Sequence, residues 1–237
     1  MHREHYRWDS PALSRSMELL WYGNWGRPML IFPTSLGSCS QNEDCGLFRQ
    51  GLAGKVDGGE VQICSVDSID GEIWYNRGAH PGWRMHRYLQ WERYLLDEVL
   101  PLLKHKAQRE DVILYGASWG AFHAMNFALR NPGVASRVIC FSGMYDLHRM
   151  LDGHWDDTCY FNCPTAYVPN YPQEQIERTR HIGFVLATGE QDHLVQDTRH
   201  FAGVLRGKGL NVVEEIWGGV FGHDWNFWAE HLPRFVP

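Results

Sequence analysis

Short apolar runs alternate with longer amphipathic stretches along most of the chain. The apolar runs are rich in β-branched and aliphatic residues, which is typical of buried strands. They lie at 29–32, 61–66, 112–115, 138–141, 182–187 and 212–217. Stretches with a helical spacing of apolar residues lie near 43–53, 85–105, 119–130, 194–207 and 225–231. This alternation predicts an α/β fold with a mostly parallel, doubly wound sheet.

Two further features complete the predicted architecture. Strand-like segments at 6–8 and 16–22 flank a turn sequence that starts at Asp9, and together they predict an N-terminal antiparallel hairpin. Pro101 lies inside the helical stretch 85–105 and predicts a kink, because proline lacks the N–H that a helix uses. The chain has 237 residues, 44% of them hydrophobic, and contains no linker or internal repeat. We therefore expect a single domain over 1–237.

The sequence Gly-Ala-Ser-Trp-Gly at 116–120 joins a predicted strand to a predicted helix. A Gly-x-Ser-x-Gly turn in this position is typical of a nucleophile elbow, which exposes the serine oxygen at the start of a helix. With 24 glycines in the chain, the pattern alone would arise by chance in about one chain in ten of this composition. The flanking strand and helix therefore carry the prediction that Ser118 is a nucleophile. The alternative is that Ser118 only caps the helix.

Candidate partners for this serine follow in the order acid, then histidine. The strand at 182–187 runs into a loop that contains Glu190 and Asp192, and we favour Asp192 as the acid with Glu190 as its competitor. Asp146, directly after another strand, ranks third. His223 lies in a glycine-rich loop between the last strand and the last helix, where a catalytic base is expected. His193 adjoins the proposed acid and is interpreted as a neighbour.

Other histidines lie on loops or helices without this context and are interpreted as structural or surface residues. They are His80, His86, His105, His123, His148, His154, His181, His200 and His231.

The motifs resemble those of the putative-esterase family of α/β-hydrolases, which includes esterase D-like and antigen 85-like proteins. The matching features are the Ile-Phe-Pro-Thr-Ser-Leu-Gly sequence at 31–37, the elbow at 116–120, the loop at 189–192, and Gly-His-Asp-Trp at 222–225 with Trp228 one helical turn later. The resemblance extends over about 6–232 of the chain. It implies an α/β-hydrolase fold and a serine hydrolase or acyltransferase that needs no cofactor.

The resemblance also implies an oxyanion hole. In α/β-hydrolases this site uses the backbone N–H of the residue after the nucleophile and one N–H from an earlier strand-to-helix loop. By similarity these donors are Trp119 and Ser35, with Leu36 as the alternative to Ser35. A different interpretation of Ser35 is a cap for the helix that begins near 41.

The segment 146–180 breaks the alternation of strands and helices and is rich in aromatic residues and prolines. It lies between two predicted strands, on the side where strand ends carry the site, and is our candidate for a cap that shapes the substrate pocket. Trp155, Tyr160 and Phe161 in this segment, together with Leu36, are the predicted substrate-binding residues. The alternative is an aromatic surface excursion with no part in binding.

Composition argues against several other classes of function. A net charge of −6 and a pI near 6.1 give no electrostatic footprint for nucleic acid. No stretch approaches the roughly 20 apolar residues of a membrane span. The polar N-terminus does not resemble a signal peptide, and the six cysteines lack the paired spacing of a disulfide frame or a zinc site. We therefore expect a cytoplasmic protein without a bound metal, whose oligomeric state the sequence leaves open.

These features together predict a serine hydrolase that cleaves carboxylic esters or thioesters through an acyl-enzyme. Ser118, His223 and Asp192 form its predicted triad, and a small-molecule ester or thioester is its expected partner. An acyltransferase using the same triad remains an alternative, because only the nucleophile that resolves the acyl-enzyme differs. A catalytically silent α/β-hydrolase used for binding is the alternative from another class.

Overall fold

One eight-stranded sheet crosses the centre of the molecule in the computed structural model, which describes residues 1–237. The strands are β1 (Arg3–Ser10), β2 (Arg15–Tyr22), β3 (Arg27–Phe32), β4 (Val61–Val66), β5 (Ile113–Ala117), β6 (Arg137–Phe141), β7 (Gly183–Gly189) and β8 (Asn211–Trp217). Their spatial order is β1-β2-β4-β3-β5-β6-β7-β8. β3 to β8 run parallel to one another, and β1 and β2 are antiparallel.

Helices cover both faces of this sheet. The α-helices are α1 (Gln41–Asp44), α2 (Ala53–Asp57), α3 (Pro81–Tyr94), α4 (Leu100–Ala107), α5 (Trp119–Arg130), α6 (Asp157–Tyr160), α7 (Pro164–Tyr167), α8 (Gln173–Thr179), α9 (Val195–Gly207) and α10 (Trp225–His231). Short 3₁₀ turns occur at Pro132–Val134, His148–Met150, Val168–Asn170 and Leu232–Arg234. π-helical turns occur at Phe48–Leu52 and Leu95–Val99. None of these helices combines the length and the apolar character required to span a bilayer.

The predicted α/β architecture is confirmed, including the N-terminal hairpin. β1 pairs with β2 along its whole length, from Arg3 opposite Tyr22 to Ser10 opposite Arg15. β1 alternates exposed and half-buried residues, as expected for an edge strand with one face toward solvent. The hairpin therefore extends the parallel sheet at one edge by two antiparallel strands.

Two buried clusters lie on opposite faces of the sheet, one of 48 residues and the other of 24. β5 is buried along its whole length, because it lies near the middle of the sheet with side chains in both clusters. α5, which follows it, has 11 buried residues out of 12. The predicted nucleophile therefore lies between two elements that are almost completely buried.

At the position of the predicted kink near Pro101, the structure shows a change of helix type. α3 continues into the π-helical turn Leu95–Val99, and α4 begins at Leu100 with Pro101 in its first turn. Proline is tolerated there because the first-turn N–H groups have no intrahelical acceptor. α4 then ends at Ala107, and its C-cap residue Gln108 takes the left-handed conformation with φ 52°.

Candidate active site

Ser118 occupies a sharp turn between β5 and α5. Its backbone has φ 55° and ψ −121°, a conformation that a residue with a Cβ rarely adopts. The Ser118 N–H donates to the Phe141 carbonyl of the neighbouring strand at 2.9 Å, which holds the turn in place. The side chain makes no capping hydrogen bond to α5. The hydroxyl is therefore not used as a helix cap.

The two glycines of the elbow allow a close approach that any side chain would prevent. A Cβ on Gly116 would lie 2.0 Å from the Gly120 carbonyl carbon, so the strand and the helix could not meet at this angle. A Cβ on Gly120 would lie 2.8 Å from the Phe32 carbonyl oxygen at the end of β3. The glycines thus bring the nucleophile turn against the loop that follows β3, which is where an oxyanion donor is expected.

His223 and Asp192 meet at the same edge of the sheet. The Nδ1 atom of His223 lies 3.1 Å from Asp192 Oδ1 and 3.2 Å from Asp192 Oδ2. The Asp192 side chain is fully buried, and 16% of the His223 side chain is exposed. Glu190 instead points outward, and its Oε2 accepts the Gly219 N–H at 3.0 Å. The structure therefore places Asp192, and not Glu190, against the predicted base.

The loop that carries His223 folds back over β6, toward the nucleophile. The Ser142 hydroxyl, directly after β6, donates to the Gly222 carbonyl at 2.7 Å and accepts the Trp228 indole N–H at 3.1 Å. β6 is the immediate neighbour of β5, and paired strands lie about 4.8 Å apart. Ser142 thus anchors the histidine loop one strand away from Ser118.

The loops after β7 and β8 also touch each other directly. A Cβ on Gly189 would lie 2.3 Å from the Val220 carbonyl oxygen, and a Cβ on Gly222 would lie 2.2 Å from the Gly189 nitrogen. The Gln191 N–H donates to the Val220 carbonyl at 2.9 Å. This backbone contact sets the position of the acid loop relative to the histidine loop.

The environment of Asp192 favours its ionised form. Burial raises the pKa of the carboxyl, but hydrogen bonds from His223, the Leu194 N–H and Thr188 outweigh burial and lower the pKa to about 2. The Leu194 N–H donates to Oδ1 at 2.9 Å, and the Thr188 hydroxyl donates to Oδ2. A carboxylate fixed in this way can hold an imidazole in one tautomer and stabilise its protonated form.

The lowered pKa of Asp192 predicts how stability depends on pH. As the pH falls, the unfolded chain binds a proton at this carboxyl before the folded chain does. The stabilisation is therefore complete above about pH 5 and is lost between about pH 4 and pH 2. We expect the difference in unfolding free energy between the wild type and Asp192→Asn to shrink by about 2 kcal/mol across that range.

Urea unfolding at a series of pH values measures this difference directly. Glu190→Gln is the matched control, since its carboxylate is exposed two positions away in the same loop. A difference between wild type and Asp192→Asn that stays constant with pH would contradict the assignment of the stabilisation to the ionised Asp192.

His193 also lies close to the acid. Its Nδ1 is 3.3 Å from Asp192 Oδ1, and its ring centroid is 4.6 Å from that of His223. The His193 side chain is 65% exposed. It follows Asp192 directly in the chain and comes from the acid loop itself, whereas His223 approaches from the opposite loop.

The predicted oxyanion donors lie on the loop after β3 and at the start of α5. Trp119 is the first residue of α5, and N–H groups of a first helical turn have no intrahelical acceptor. The Ser35 N–H makes no hydrogen bond within the chain. Leu36 differs, because its N–H donates to Asp70 Oδ2 at 3.2 Å. Between the two alternatives, Ser35 is thus the residue whose N–H is free.

Tyr160 and Phe161 do not lie near the nucleophile, which corrects their predicted place in the substrate site. They line a cavity with Leu129 and Arg130 at the far end of α5, and Arg130 donates to the Phe161 carbonyl at 2.7 Å. Leu129 lies ten positions after Trp119 on α5, a distance of about 15 Å along the helix. This part of the segment 146–180 packs along α5 because Tyr160, Tyr167 and Tyr171 continue the main buried cluster, whereas Phe161 is 55% exposed.

Trp155 and Leu36 have different surroundings. Trp155 stacks on His148, with ring centroids 4.0 Å apart and an interplanar angle of 9°. His148 and Leu194 line one cavity, and Leu194 is two residues beyond Asp192. Leu36 is 58% exposed beside Ser35. Both side chains thus lie on the side of the molecule that carries Ser118, Asp192 and His223.

In other clusters of ionisable groups, the side chains form hydrogen bonds with one another. Asp146 binds the backbone N–H and the Nδ1 of His148 at 2.8 and 2.9 Å, and so it is not a partner of His223. His154 and Asp156 pair at 3.0 Å near Cys159. Burial raises the pKa of Cys159 to about 11, so its thiol is protonated near neutral pH.

Sequence reasoning missed the residues that hold the site from behind. Ser142 and Thr188 support the acid and histidine loops together with Trp228, which the family motif had already marked, and Asp70 with His123 lies under the loop after β3. His123 was assigned no function because it lies in the middle of a helix. Apart from Trp228, no sequence signal marks these residues, because most of their partners lie far away in the chain, as Gly222 does for Ser142 and Asp70 for His123.

Known structures share this fold over its whole length. A ferulic acid esterase is 15% identical, covers 100% of this chain and 96% of its own, and has a TM-score of 0.80. An S-formylglutathione hydrolase from Agrobacterium tumefaciens is 15% identical, with coverages of 99% and 92% and a TM-score of 0.76. Mycobacterium tuberculosis MPT51 is 14% identical, with coverages of 100% and 97% and a TM-score of 0.71. The fold is that of the α/β-hydrolases.

The family follows from the sequence itself. Residues 58–237 match the family model described as "Esterase: Putative esterase". The chain belongs to this esterase family, as the motifs predicted. No curated protein matches it.

Proposed function

We propose that Ser118, His223 and Asp192 are the catalytic triad of this esterase. The observation that carries the proposal is the contact of the buried Asp192 carboxylate with His223 Nδ1, at the edge of the sheet where the strained Ser118 turn lies. Ser118 Oγ attacks the ester carbonyl carbon while its proton passes to His223 Nε2. Asp192 holds Nδ1–H and stabilises the imidazolium. The alcohol then leaves with the proton from His223, and water resolves the acyl-enzyme.

The tetrahedral intermediate places a negative oxygen between α5 and the loop after β3. The Trp119 and Ser35 N–H groups are proposed to bind it. Neither N–H makes a hydrogen bond within the chain, so neither has to break one when the negative charge develops on the oxygen. The start of α5 adds the favourable end of its helix dipole.

Two exposed apolar side chains lie beside these groups and support an apolar acyl or aryl portion in the substrate. Leu36 is next to Ser35, and Phe221 is 52% exposed with its ring centroid 6.4 Å from that of His223. We propose that they contact this portion, with Trp155 contributing from the segment 146–180. A thioester fits the same chemistry, because the attacked carbonyl is unchanged and the leaving group needs less protonation.

A fluorophosphonate reagent tests the proposed nucleophile. We expect it to label the wild-type protein once, on Ser118, and to block hydrolysis of p-nitrophenyl acetate with the same time course. Peptide mass mapping identifies the labelled residue. An unlabelled protein, or a label on another serine, would contradict the proposal. Matched p-nitrophenyl esters and thioesters of increasing acyl length then measure the contribution of Leu36 and Phe221.

A further inference from the structure

A buried carboxylate and a buried histidine lie directly beneath the proposed oxyanion hole. Asp70, in the loop after β4, accepts the Leu36 N–H at Oδ2 over 3.2 Å. Its Oδ1 lies 3.0 Å from His123 Nε2, and each of the two side chains is only 1% exposed. Since Oδ1 of a carboxylate is an acceptor, the imidazole donates from Nε2.

The pair connects the two elements that supply the proposed oxyanion donors. Leu36 follows Ser35 directly on the loop after β3, and His123 lies one helical turn after Trp119 on α5. A hydrogen bond from each element ends on the same carboxylate. The distance between the Ser35 and Trp119 N–H groups is thus tied to Asp70.

The loop needs such an anchor because its backbone is strained at Leu36. Leu36 has φ 58°, in the left-handed region that disfavours a side chain with a Cβ. The Asp70 carbonyl accepts the N–H groups of Ile73 and Tyr75, which fixes the loop that carries the carboxylate. Trp74 in the same loop stacks on Trp119, with ring centroids 5.0 Å apart and an interplanar angle of 9°.

The surroundings of His123 indicate that it serves Asp70 alone. Its ring is enclosed by aromatic side chains, with centroids 4.7 Å from Trp91 and 5.6 Å from Phe122. Its Nδ1 is buried without a hydrogen-bond partner. Burying a half-satisfied polar ring has a cost, and the only hydrogen bond that offsets it is the one to Asp70.

We infer that Asp70 and His123 are positioning residues that hold the oxyanion hole in its transition-state geometry. They touch neither the substrate nor the reacting atoms, and they act through the backbone of Leu36 and through α5. This inference rests on the proposed triad and oxyanion hole. The contact of Asp70 with Leu36 and His123 would thus affect catalysis by setting the positions of the two oxyanion donors.

Asp70→Asn tests the inference with almost no change in shape. Leu36 and His123 donate to different oxygens of the Asp70 carboxylate, and asparagine replaces one of these oxygens with an NH₂ group, so one of the two donors loses its acceptor. Outright loss of an oxyanion donor costs about 10²–10³ in kcat, and we expect misplacement to cost about 10- to 100-fold. KM for p-nitrophenyl acetate should stay within about threefold. The affinity for 2,2,2-trifluoroacetophenone, whose adduct with Ser118 mimics the oxyanion, should fall by the same factor as kcat.

Asp67→Asn is the matched control. The Asp67 carboxylate accepts the Cys39 N–H at 2.8 Å and the Glu18 N–H at 3.0 Å, so it holds the same region without contacting Leu36. We expect this variant to lower the thermal midpoint as Asp70→Asn does, with kcat and ketone affinity within about threefold of wild type. Equal losses of kcat in both variants would overturn the inference, as would an Asp70→Asn enzyme with wild-type kcat and ketone affinity.

Two variants of His123 test the same inference if Asp70→Asn does not fold. His123→Phe preserves the aromatic packing but leaves no donor for Asp70, and we expect the same loss of kcat and ketone affinity. His123→Gln retains a donor and should recover most of both. Similar values for the two variants would overturn the inference. A wild-type protein that fails to react with fluorophosphonate would instead overturn the proposed function, so the two failures are distinguishable.

Discussion

Ser118→Ala is expected to lower ester turnover about a millionfold, to the level supported by the oxyanion hole and binding alone. The serine oxygen is the proposed nucleophile, and no other group replaces it in the strained turn. The thermal midpoint should change little, because alanine keeps the Cβ and the hydroxyl makes no capping hydrogen bond to α5. Steady-state hydrolysis of p-nitrophenyl acetate and thermal unfolding measure the two effects.

Ser38→Ala is the control for this substitution, since Ser38 is an exposed serine close to the same edge of the sheet. It should retain wild-type turnover. If Ser118→Ala keeps more than a few per cent of the wild-type rate, Ser118 is not the nucleophile.

His223→Ala is expected to lose turnover to about the same extent as Ser118→Ala, because nucleophile and base act as one unit. The His223 imidazole is the group that Asp192 orients from the opposite loop. The double variant Ser118→Ala/His223→Ala should be little worse than either single variant. Rates this low are measured with high concentrations of each purified variant.

His193→Ala provides a stringent control, because His193 also contacts Asp192 and lies beside His223. Its exposed ring comes from the acid loop, and the variant should retain most of the wild-type activity. If His193→Ala and His223→Ala lose activity equally, the assignment of the base is wrong.

The sequence determined the elements of this fold and the places where chemistry is concentrated. Strands and helices were predictable because burial of one helix face, or of a whole strand, leaves a local period of apolar residues. The elbow at 116–120 was recognisable for a related reason, since close approach of backbone to backbone requires glycine at fixed positions. The loops that hold Asp192 and His223 followed from the rule that parallel strands gather their carboxyl ends at one edge.

Contacts between distant segments decided the rest. Asp192 and Glu190 differ by two positions in one loop, and only the approach of the loop after β8 shows that Asp192 meets His223 while Glu190 binds Gly219. The choice of Ser35 over Leu36 depends on Asp70, 34 residues beyond Leu36. Aromatic composition placed Tyr160 and Phe161 in the substrate site, but their packing against α5 puts them at its far end.

The physical reason for this division is the range of the forces involved. Periodicity and turn chemistry act over a few residues and are therefore written in the local sequence. A hydrogen bond such as that between His123 and Asp70, which spans 53 residues, exists only after the hydrophobic burial of the whole chain has brought both groups together. The sequence therefore determined which loops form the candidate site, and only the tertiary structure decided which side chains in them meet.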